Sequence, residues 1–183
     1  MKKILQKESV VLRDVAQSVS LSDITSPKIQ RIIEEMKIAL ASQEDGVAIA
    51  APQIGYSLRI FVVSGKVAQI MKRVGKKDEE AEKASRGKDD VYINPIIKKI
   101  SKERRTVEEG CLSVRFLYGK VSRATKATVE ACDEHGKKFS KGGVGLLAQI
   151  FQHETDHLNG ILFIDKAKYV EEILPENKKP HTN

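Results

Sequence analysis

The 183-residue chain has no tryptophan, two cysteines and nine aromatic side chains, from five phenylalanines and four tyrosines. Two cysteines are too few for the disulfide framework of a small secreted protein, so we expect reduced thiols. Twelve glycines and five prolines exclude a collagen-like or low-complexity chain. The longest apolar run, residues 47–51, is far shorter than the roughly 20 residues that span a bilayer, so no membrane helix is predicted. We therefore predict one globular domain over residues 1–183.

Basic residues outnumber acidic residues in the chain. The 32 lysines and arginines against 25 acidic residues give a formal net charge of +7. Such a charge bears on association and solubility rather than on chemistry, and it fits a solvated surface or a location near RNA-rich machinery such as the ribosome surface. Because no basic stretch is interleaved with aromatic residues, we predict no specific DNA binding. The first residues contain no signal-like apolar stretch, which favours a cytoplasmic protein.

Two helices are predicted from apolar residues at helical spacing. Ser26 followed by Pro27 is typical of a helix start, and the apolar pattern continues to Ser42. The second pattern covers residues 146–151 and continues to Asn159-Gly160, a typical helix end. These two segments are the strongest local signals in the sequence.

The rest of the chain is predicted to be strands, turns and one insertion. Predicted strands are apolar or alternating runs bounded by turn residues: 58–63, 91–94, 127–132 and 137–140. Residues 46–55 are small and apolar and contain a proline, which favours extended backbone over helix. Residues 65–90 are densely charged, and we predict a solvated loop or short surface helix inserted there. Residues 166–183 are predicted to be a C-terminal tail.

The second predicted helix contains the segment QHETDHLNG, in which His153 and His157 are four residues apart. On a helix this spacing places both imidazoles on one face, where they can bind one metal ion. Glu154 follows the first histidine, a position from which a carboxylate can reach water beside the metal rather than the metal itself. The alternative is a surface helix in which these residues coincide by chance. Because the chain has four histidines in all, we favour the metal site.

A catalytic metal site usually takes three protein ligands and leaves a position for water. The candidate third ligand is Cys111 in the segment EEGCLSV, because a thiolate suits a soft or borderline metal. Gly110 before it allows close approach of the backbone. Taken alone, such a cysteine is more often a small buried apolar residue. Cys132 lies in the predicted hairpin without another candidate ligand near it, and we expect it to be such a residue.

Three segments together resemble the peptide deformylase family. GVAIAAPQ at residues 46–53 is similar to the family's first motif, EGCLS at residues 109–113 matches its second, and HETDH at residues 153–157 resembles its third. The segments occur in the family's order and at fitting separations, and the similarity extends over most of Leu5 to Asp165. The resemblance implies an α+β fold in which mixed or antiparallel strands surround a central helix that bears HETDH.

The resemblance also implies an activity. Members of this family hydrolyse the formyl group from the N-terminal formylmethionine of newly synthesised chains, in bacteria or in organelles. By similarity, Cys111, His153 and His157 hold one divalent ion, commonly Fe²⁺, with Zn²⁺, Ni²⁺ or Co²⁺ able to take its place. Glu154 would then accept and deliver protons during the hydrolysis.

Further roles follow from the same resemblance. The Gln53 side-chain amide and the Leu112 backbone N–H are the implied donors to the formyl oxygen. Asp156 is expected either to orient a ligand or to form a salt bridge on the helix face. The implied contacts to the substrate chain and its methionine side chain are made by small or apolar residues: Val47, Ala48, Gly110, Leu146 and Ile150.

The chain departs from the family pattern in each motif region. Ala48 stands where the first motif has its second glycine, Thr155 stands where the third has an apolar residue, and Arg115-Phe116 replaces a common Pro-Gly after the second. Two other functions therefore stay open. A zinc metalloprotease could use the same helix, although EGCLS argues against it. A non-catalytic protein that binds formylated chain ends or ribosomal RNA is the other, and Ala48 favours it.

Overall fold

The computed structural model describes residues 1–73 and 87–174 of the chain. Its helices are α1 Pro27–Ala41, α2 Lys66–Arg73 and α3 Leu146–Leu158. Its strands are β1 Ala48–Ala50, β2 Ile60–Val63, β3 Asp90–Ile100, β4 Arg104–Cys111, β5 Val114–Ala124, β6 Lys126–Cys132, β7 Lys138–Val144 and β8 Lys168–Glu172. Short 3-10 turns cover Val10–Leu12, Leu21–Asp23, Ala51–Ile54 and Phe163–Asp165. In the described ranges, no helix is long and apolar enough to cross a membrane.

The strands form two antiparallel sheets. The larger has the order β1-β2-β3-β6-β7, and the smaller has the order β4-β5-β8. Helix α3 packs on the larger sheet through Ala148 and Phe151, which are fully buried. The predicted α+β class, with antiparallel strands around a central helix, is confirmed.

Helix α1 forms where the sequence predicts it. The Ser26 hydroxyl accepts a hydrogen bond from the Ile29 N–H, and Pro27 occupies the first turn, where its missing N–H costs nothing. The apolar stripe of the helix is buried against the larger sheet: Ile29, Ile32, Ile33, Met36 and Leu40. The helix ends at Ala41, with Ser42 as its capping residue.

Strand β3 continues past Pro95, beyond the predicted end at Asn94. The proline is tolerated because the register between β3 and β6 shifts between Ile93 and Ile96. Asn94 has a positive φ of 51°, and its amide exchanges two hydrogen bonds with the backbone of Val19, at 2.8 and 2.7 Å. These bonds stabilise the bulge, so one long strand joins the centre of the sheet to the connection with β4.

The two segments predicted as an insertion and a tail are described in part. In the first, Lys66–Arg73 forms α2, and residues 74–86 lie outside the described residues. Val63 and Asp90 are register partners of β2 and β3, so the segment leaves and rejoins the sheet at one place. In the second, Lys168–Glu172 forms β8 and pairs with β5, and residues 175–183 lie outside the described residues.

Candidate metal centre

Helix α3 brings three of the predicted site residues into the interior. The His153 and His157 rings have centroids 4.9 Å apart, as expected for positions four residues apart on one helical face. Glu154 and His157 are almost fully buried, at 4% and 1% exposure. Polar side chains on the buried face of a helix require partners, and strand β4 of the smaller sheet supplies one for each histidine.

Cys111 reaches this helix face from the smaller sheet. It is the last residue of β4, where the register jumps from Gly110↔Tyr118 to Cys111↔Val114 and the hairpin closes in a tight turn. Its Sγ lies 3.2 Å from Nε2 of His157. Cys111, His153 and His157 each offer a ligand atom, and the three atoms lie within 4.8 Å of one another. The three residues that the sequence singled out therefore converge at one point.

These three side chains could hold one divalent transition metal. One sulfur and two imidazole nitrogens form a donor set suited to Zn²⁺ and to neighbouring first-row ions. Atoms that are each about 2.0–2.3 Å from one ion lie roughly 3–4.6 Å from each other, and the Cys111–His157 separation falls in that range. Oε2 of Glu154 is buried with no hydrogen-bond partner among the described residues. A water or substrate atom beside an ion would supply that partner.

Glu109 contacts the candidate ligand His153 through the ring atom Nδ1. Its Oε2 lies 2.9 Å from Nδ1 of His153, and its two oxygens accept hydrogen bonds from Arg123 at 2.7 and 2.8 Å. Burial alone would raise the pKa of Glu109, but the bonds from Arg123 and His153 outweigh it and lower the pKa to about 2. A charged carboxylate here favours a proton on Nδ1 of His153, which leaves Nε2 to face a metal.

Arg123 extends this network to the far side of α3. Its guanidinium also donates to Asp156 at 2.6 Å, and the other oxygen of Asp156 accepts from Lys166 at 2.6 Å. Of the two roles expected for Asp156, the structure therefore shows the salt bridge. Charges alternate in sign along Glu109, Arg123, Asp156 and Lys166, so no buried charge among them is unpaired.

Glu154 differs from these charges, because its Oε2 is buried and has no hydrogen-bond partner within the described part of the chain. Burial raises the pKa of Glu154 to about 7, because the charged carboxylate loses its hydration. A carboxylate with a pKa near neutrality can both accept and return a proton at physiological pH. The residue is next to His153 in the chain, so a group that is able to transfer protons lies beside the three candidate ligands.

The two implied oxyanion donors lie near the sulfur of Cys111. Gln53 is 1% exposed; its Oε1 accepts from the Ala50 N–H at 2.8 Å, and its Nε2 donates to the Ser113 hydroxyl at 3.1 Å. The same Nε2 lies 3.6 Å from Sγ of Cys111. Leu112 is nearly buried in the turn after β4. Both residues therefore lie beside the place where the three ligand atoms converge.

The comparisons with known proteins fit this geometry. The family model described as polypeptide deformylase matches residues 1–172. The chain belongs to the polypeptide deformylase family. Peptide deformylase 2 of Clostridium acetobutylicum is 38% identical to it over 165 residues, which cover 90% of this chain and 94% of that protein. The family consists of metal-dependent hydrolases that act on the formyl group of newly made chains, and this deformylase is one of them.

The chain is also similar to an organelle protein and to a crystal structure that contains a bound peptide. Peptide deformylase 1A, chloroplastic/mitochondrial, of Arabidopsis thaliana is 38% identical over 157 residues, or 85% of this chain and 57% of that protein. A crystal structure of the class I type b peptide deformylase from Acinetobacter baumannii contains bound Met-Ala-Ser. It matches with a TM-score of 0.75 and 31% identity, over 90% of this chain and 97% of that chain.

A cavity of about 310 Å³ opens beside the candidate ligands of the deformylase. It is bounded by β1, by the β4–β5 hairpin and by α3, and Cys111, His153 and Glu154 line it. All five residues expected to contact substrate also line it: Val47, Ala48, Gly110, Leu146 and Ile150. Cys132, which was expected to be structural, is buried in the main apolar cluster away from these residues.

Sequence reasoning missed Arg123 and Lys166, and it underestimated Glu109. Arg123 lies on a strand whose partners on β4 and α3 are distant in the chain, so no local pattern distinguishes it from a surface arginine. Glu109 was noted only as part of the segment EGCLS, but its side chain contacts a candidate ligand. Glu109 and Arg123 are both buried with opposite charges, and only the pairing of β4 with β5 makes that visible.

Proposed function

We propose that this deformylase hydrolyses the formyl amide of formylmethionyl chains at the site formed by Cys111, His153, His157 and Glu154. The observation that carries the proposal is the convergence of one thiol from the smaller sheet and two imidazoles from helix α3, whose ligand atoms lie within 4.8 Å of one another. The buried, unpartnered carboxylate oxygen of Glu154 lies next to that point in the chain. A structural cluster has no need of such a carboxylate, whereas a hydrolytic site does.

Cys111, His153 and His157 would hold the metal, and we propose Fe²⁺, with Zn²⁺, Ni²⁺ or Co²⁺ able to use the same ligands. When bound, such an ion acts as a Lewis acid that polarises the formyl carbonyl and acidifies water. Glu109 contributes by fixing the orientation of the His153 ring through Nδ1. The charge of Glu109 is in turn stabilised by Arg123.

Glu154 would move the proton between the two reacting groups. Its carboxylate accepts a proton from the attacking water as the water oxygen bonds to the formyl carbon. It then delivers that proton to the departing amine as the C–N bond breaks, so the products are formate and a chain with a free amino terminus. Because Oε2 has no protein partner among the described residues, the oxygen is available for both transfers.

Gln53 and Leu112 would stabilise the negative charge that develops on the formyl oxygen. The Gln53 amide is fixed by its bonds to Ala50 and Ser113, so it needs no reorganisation during the reaction. Leu112 would contribute its backbone N–H from the tight turn after Cys111. Donors held in this way are worth about 100- to 1000-fold in rate each.

The methionine side chain would lie among Val47, Leu146 and Ile150, which present apolar surface to the cavity from the residue before β1 and from α3. The substrate backbone would pass Ala48 and Gly110 on either side. The methyl group of Ala48 narrows this path by one carbon relative to glycine, and the cavity still reaches the ligands beyond it.

The partners of this site would be nascent formylmethionyl chains, and we propose that the net positive charge favours their delivery at the ribosome surface. We place this activity in the cytoplasm of a bacterium or in an organelle, where formylated chains are made. The relatives in Clostridium acetobutylicum and in Arabidopsis chloroplasts or mitochondria support this location.

A deformylation assay on metal-loaded protein tests the proposal. Wild-type protein loaded with Fe²⁺ under anaerobic conditions, or with Ni²⁺, should bind about one ion per chain and release formate from formyl-Met-Ala-Ser. Glu154→Gln should keep the metal and lose about 100- to 10,000-fold in kcat, because the base is not a ligand. Metal content by elemental analysis and formate release are the two measurements.

Two outcomes would contradict the proposal. Metal-loaded wild-type protein that leaves formylated peptides intact would exclude the activity. A Glu154→Gln variant that turns over at the wild-type rate would exclude this residue as the base. Cys111→Ala is the matched control, since it should lose metal and activity together.

A further inference from the structure

Phe116 is a phenylalanine held in the left-handed region of backbone conformation, with φ +67°. Bulky residues are rare there, because their Cβ crowds the backbone. The Phe116 carbonyl accepts a hydrogen bond from the Ile173 N–H at 2.8 Å, so the backbone is held in place from the end of β8. Glycine would adopt this conformation without strain. A strained position occupied by a large ring points to a role for the ring itself.

The Phe116 ring is half-buried and lines the cavity that contains the candidate ligands. Tyr118 lines the same cavity, and its ring packs directly on Gly110: a Cβ at Gly110 would lie 2.9 Å from it. Gly110 precedes Cys111 in the chain. Phe116 and Tyr118, which we call the aromatic rim, therefore line the cavity beside Gly110, the residue that precedes a candidate ligand.

The other surfaces of the cavity have occupants in the proposed reaction. The formyl group lies beside Cys111 and Glu154, and the methionine side chain lies on the β1 and α3 side. The aromatic rim lines the cavity from a different element, β5. The residue that follows methionine is the part of the substrate left to contact it.

We propose that Phe116 is a specificity-determining residue that selects chains with a large apolar side chain directly after formylmethionine. The inference rests on the proposed function and deepens it. A leucine side chain placed against the Phe116 ring buries apolar surface that an alanine side chain leaves exposed. A difference of one methylene group in an apolar pocket is worth about 10- to 200-fold in kcat/KM.

The test compares formyl-Met-Leu-Ser with formyl-Met-Ala-Ser. Wild-type protein should prefer the leucine peptide by about tenfold or more in kcat/KM. Phe116→Gly should bring the ratio close to one, chiefly by raising KM for the leucine peptide. Phe116→Asn is a second variant that also tolerates left-handed backbone, and it should lose the preference in the same way.

Tyr169→Gly is the matched control. Tyr169 is also an aromatic residue at positive φ, +59°, but it is 87% exposed on β8. The substitution makes the same chemical change and relieves the same kind of backbone strain. The thermal midpoint of both glycine variants should be no lower than that of the wild type, and Tyr169→Gly should keep the wild-type peptide ratio.

A wild-type ratio near one, or a Phe116→Gly variant that keeps the preference, would overturn the proposal. Calorimetric binding of the unformylated products Met-Leu-Ser and Met-Ala-Ser separates this failure from that of the proposed function. If metal-loaded wild-type protein hydrolyses neither peptide, the deformylase proposal fails. Tighter binding of Met-Leu-Ser that disappears in Phe116→Gly would still support the role of the rim, and equal binding of both products would overturn it.

Discussion

At the scale of single residues, Glu109 determines how the candidate ligands are held. Its carboxylate is buried, accepts two hydrogen bonds from Arg123, and contacts Nδ1 of His153. Without Arg123, burial would favour the neutral acid, which would no longer favour a proton on Nδ1. Arg123 touches no candidate ligand, but it keeps the carboxylate of Glu109 charged, and Glu109 contacts the candidate ligand His153.

Gln53 is the residue whose contribution to rate is best separated from its contribution to metal binding. We predict that Gln53→Ala lowers kcat by about 100- to 1000-fold, because the aligned amide donor is lost, while metal content is unchanged. Steady-state kinetics and elemental analysis on the same preparation measure the two effects.

Ser113→Ala is the control for that substitution. It removes the hydroxyl that accepts from Gln53 Nε2 but leaves the amide itself and its bond to Ala50. We expect a smaller loss than for Gln53→Ala. Equal losses in the two variants would mean that Gln53 acts by supporting the turn rather than as a donor to substrate.

At the scale of elements, what could be predicted from the sequence depends on the range of the interactions. Helix α1, helix α3 and the β6–β7 hairpin follow local patterns, because capping residues and apolar periodicity lie within a few residues of each other. The extension of β3 past Pro95 could not be predicted, since the bulge depends on Asn94 bonding to Val19, 75 residues away. Strand β8 likewise exists through its pairing with β5.

Arg123 links three elements, and its removal should be costly. It joins β5 to Glu109 on β4 and to Asp156 on α3, with side-chain exposures of 4%, 1% and 12%. Arg123→Ala would leave two carboxylates short of a buried partner, and we predict a loss of about 3–5 kcal/mol in the free energy of unfolding. Urea denaturation of metal-free protein measures this loss without a contribution from metal binding.

The exposed ion pair of Arg31 and Glu35 on α1 provides the comparison. The Arg31 side chain is 80% exposed, so Arg31→Ala should change the free energy of unfolding by less than about 1 kcal/mol. Arg123→Lys should recover only part of the lost stability. Its ammonium keeps the positive charge but cannot replace the two parallel hydrogen bonds that Arg123 donates to Glu109. Similar losses for Arg31→Ala and Arg123→Ala would contradict a structural role for the buried network.

At the scale of the whole molecule, the candidate site lies where the two sheets meet. Cys111 belongs to the smaller sheet, and the two histidines belong to the helix that packs on the larger one. The spacing of His153 and His157 is visible in the sequence. The approach of Cys111 is not, because it depends on how one sheet lies against the other. The sequence could offer Cys111 as a candidate ligand through its thiol chemistry and the family resemblance, but it could not show the contact.

A metal bound at this position would cross-link β4 of the smaller sheet to helix α3, which packs on the larger sheet. We therefore predict that the metal stabilises the fold in addition to its role in the reaction. An ion that binds the folded state at a free concentration of 100 times its Kd contributes about 2.7 kcal/mol. For a chain of this length that corresponds to a rise of roughly 5–10 °C in the thermal midpoint. Calorimetry of the same preparation before and after chelation, with Ni²⁺ as the added ion, measures it.

Cys111→Ala distinguishes a bridge between the sheets from metal bound elsewhere on the protein. The variant keeps both histidines on α3 but removes the ligand that comes from β4. If the ion stabilises by joining the two sheets, chelation should shift the midpoint of the wild type and leave that of Cys111→Ala almost unchanged. If both proteins lose the same stability on chelation, the stabilising ion does not bind across the sheets, and the ligand set proposed for catalysis would have to be abandoned with it.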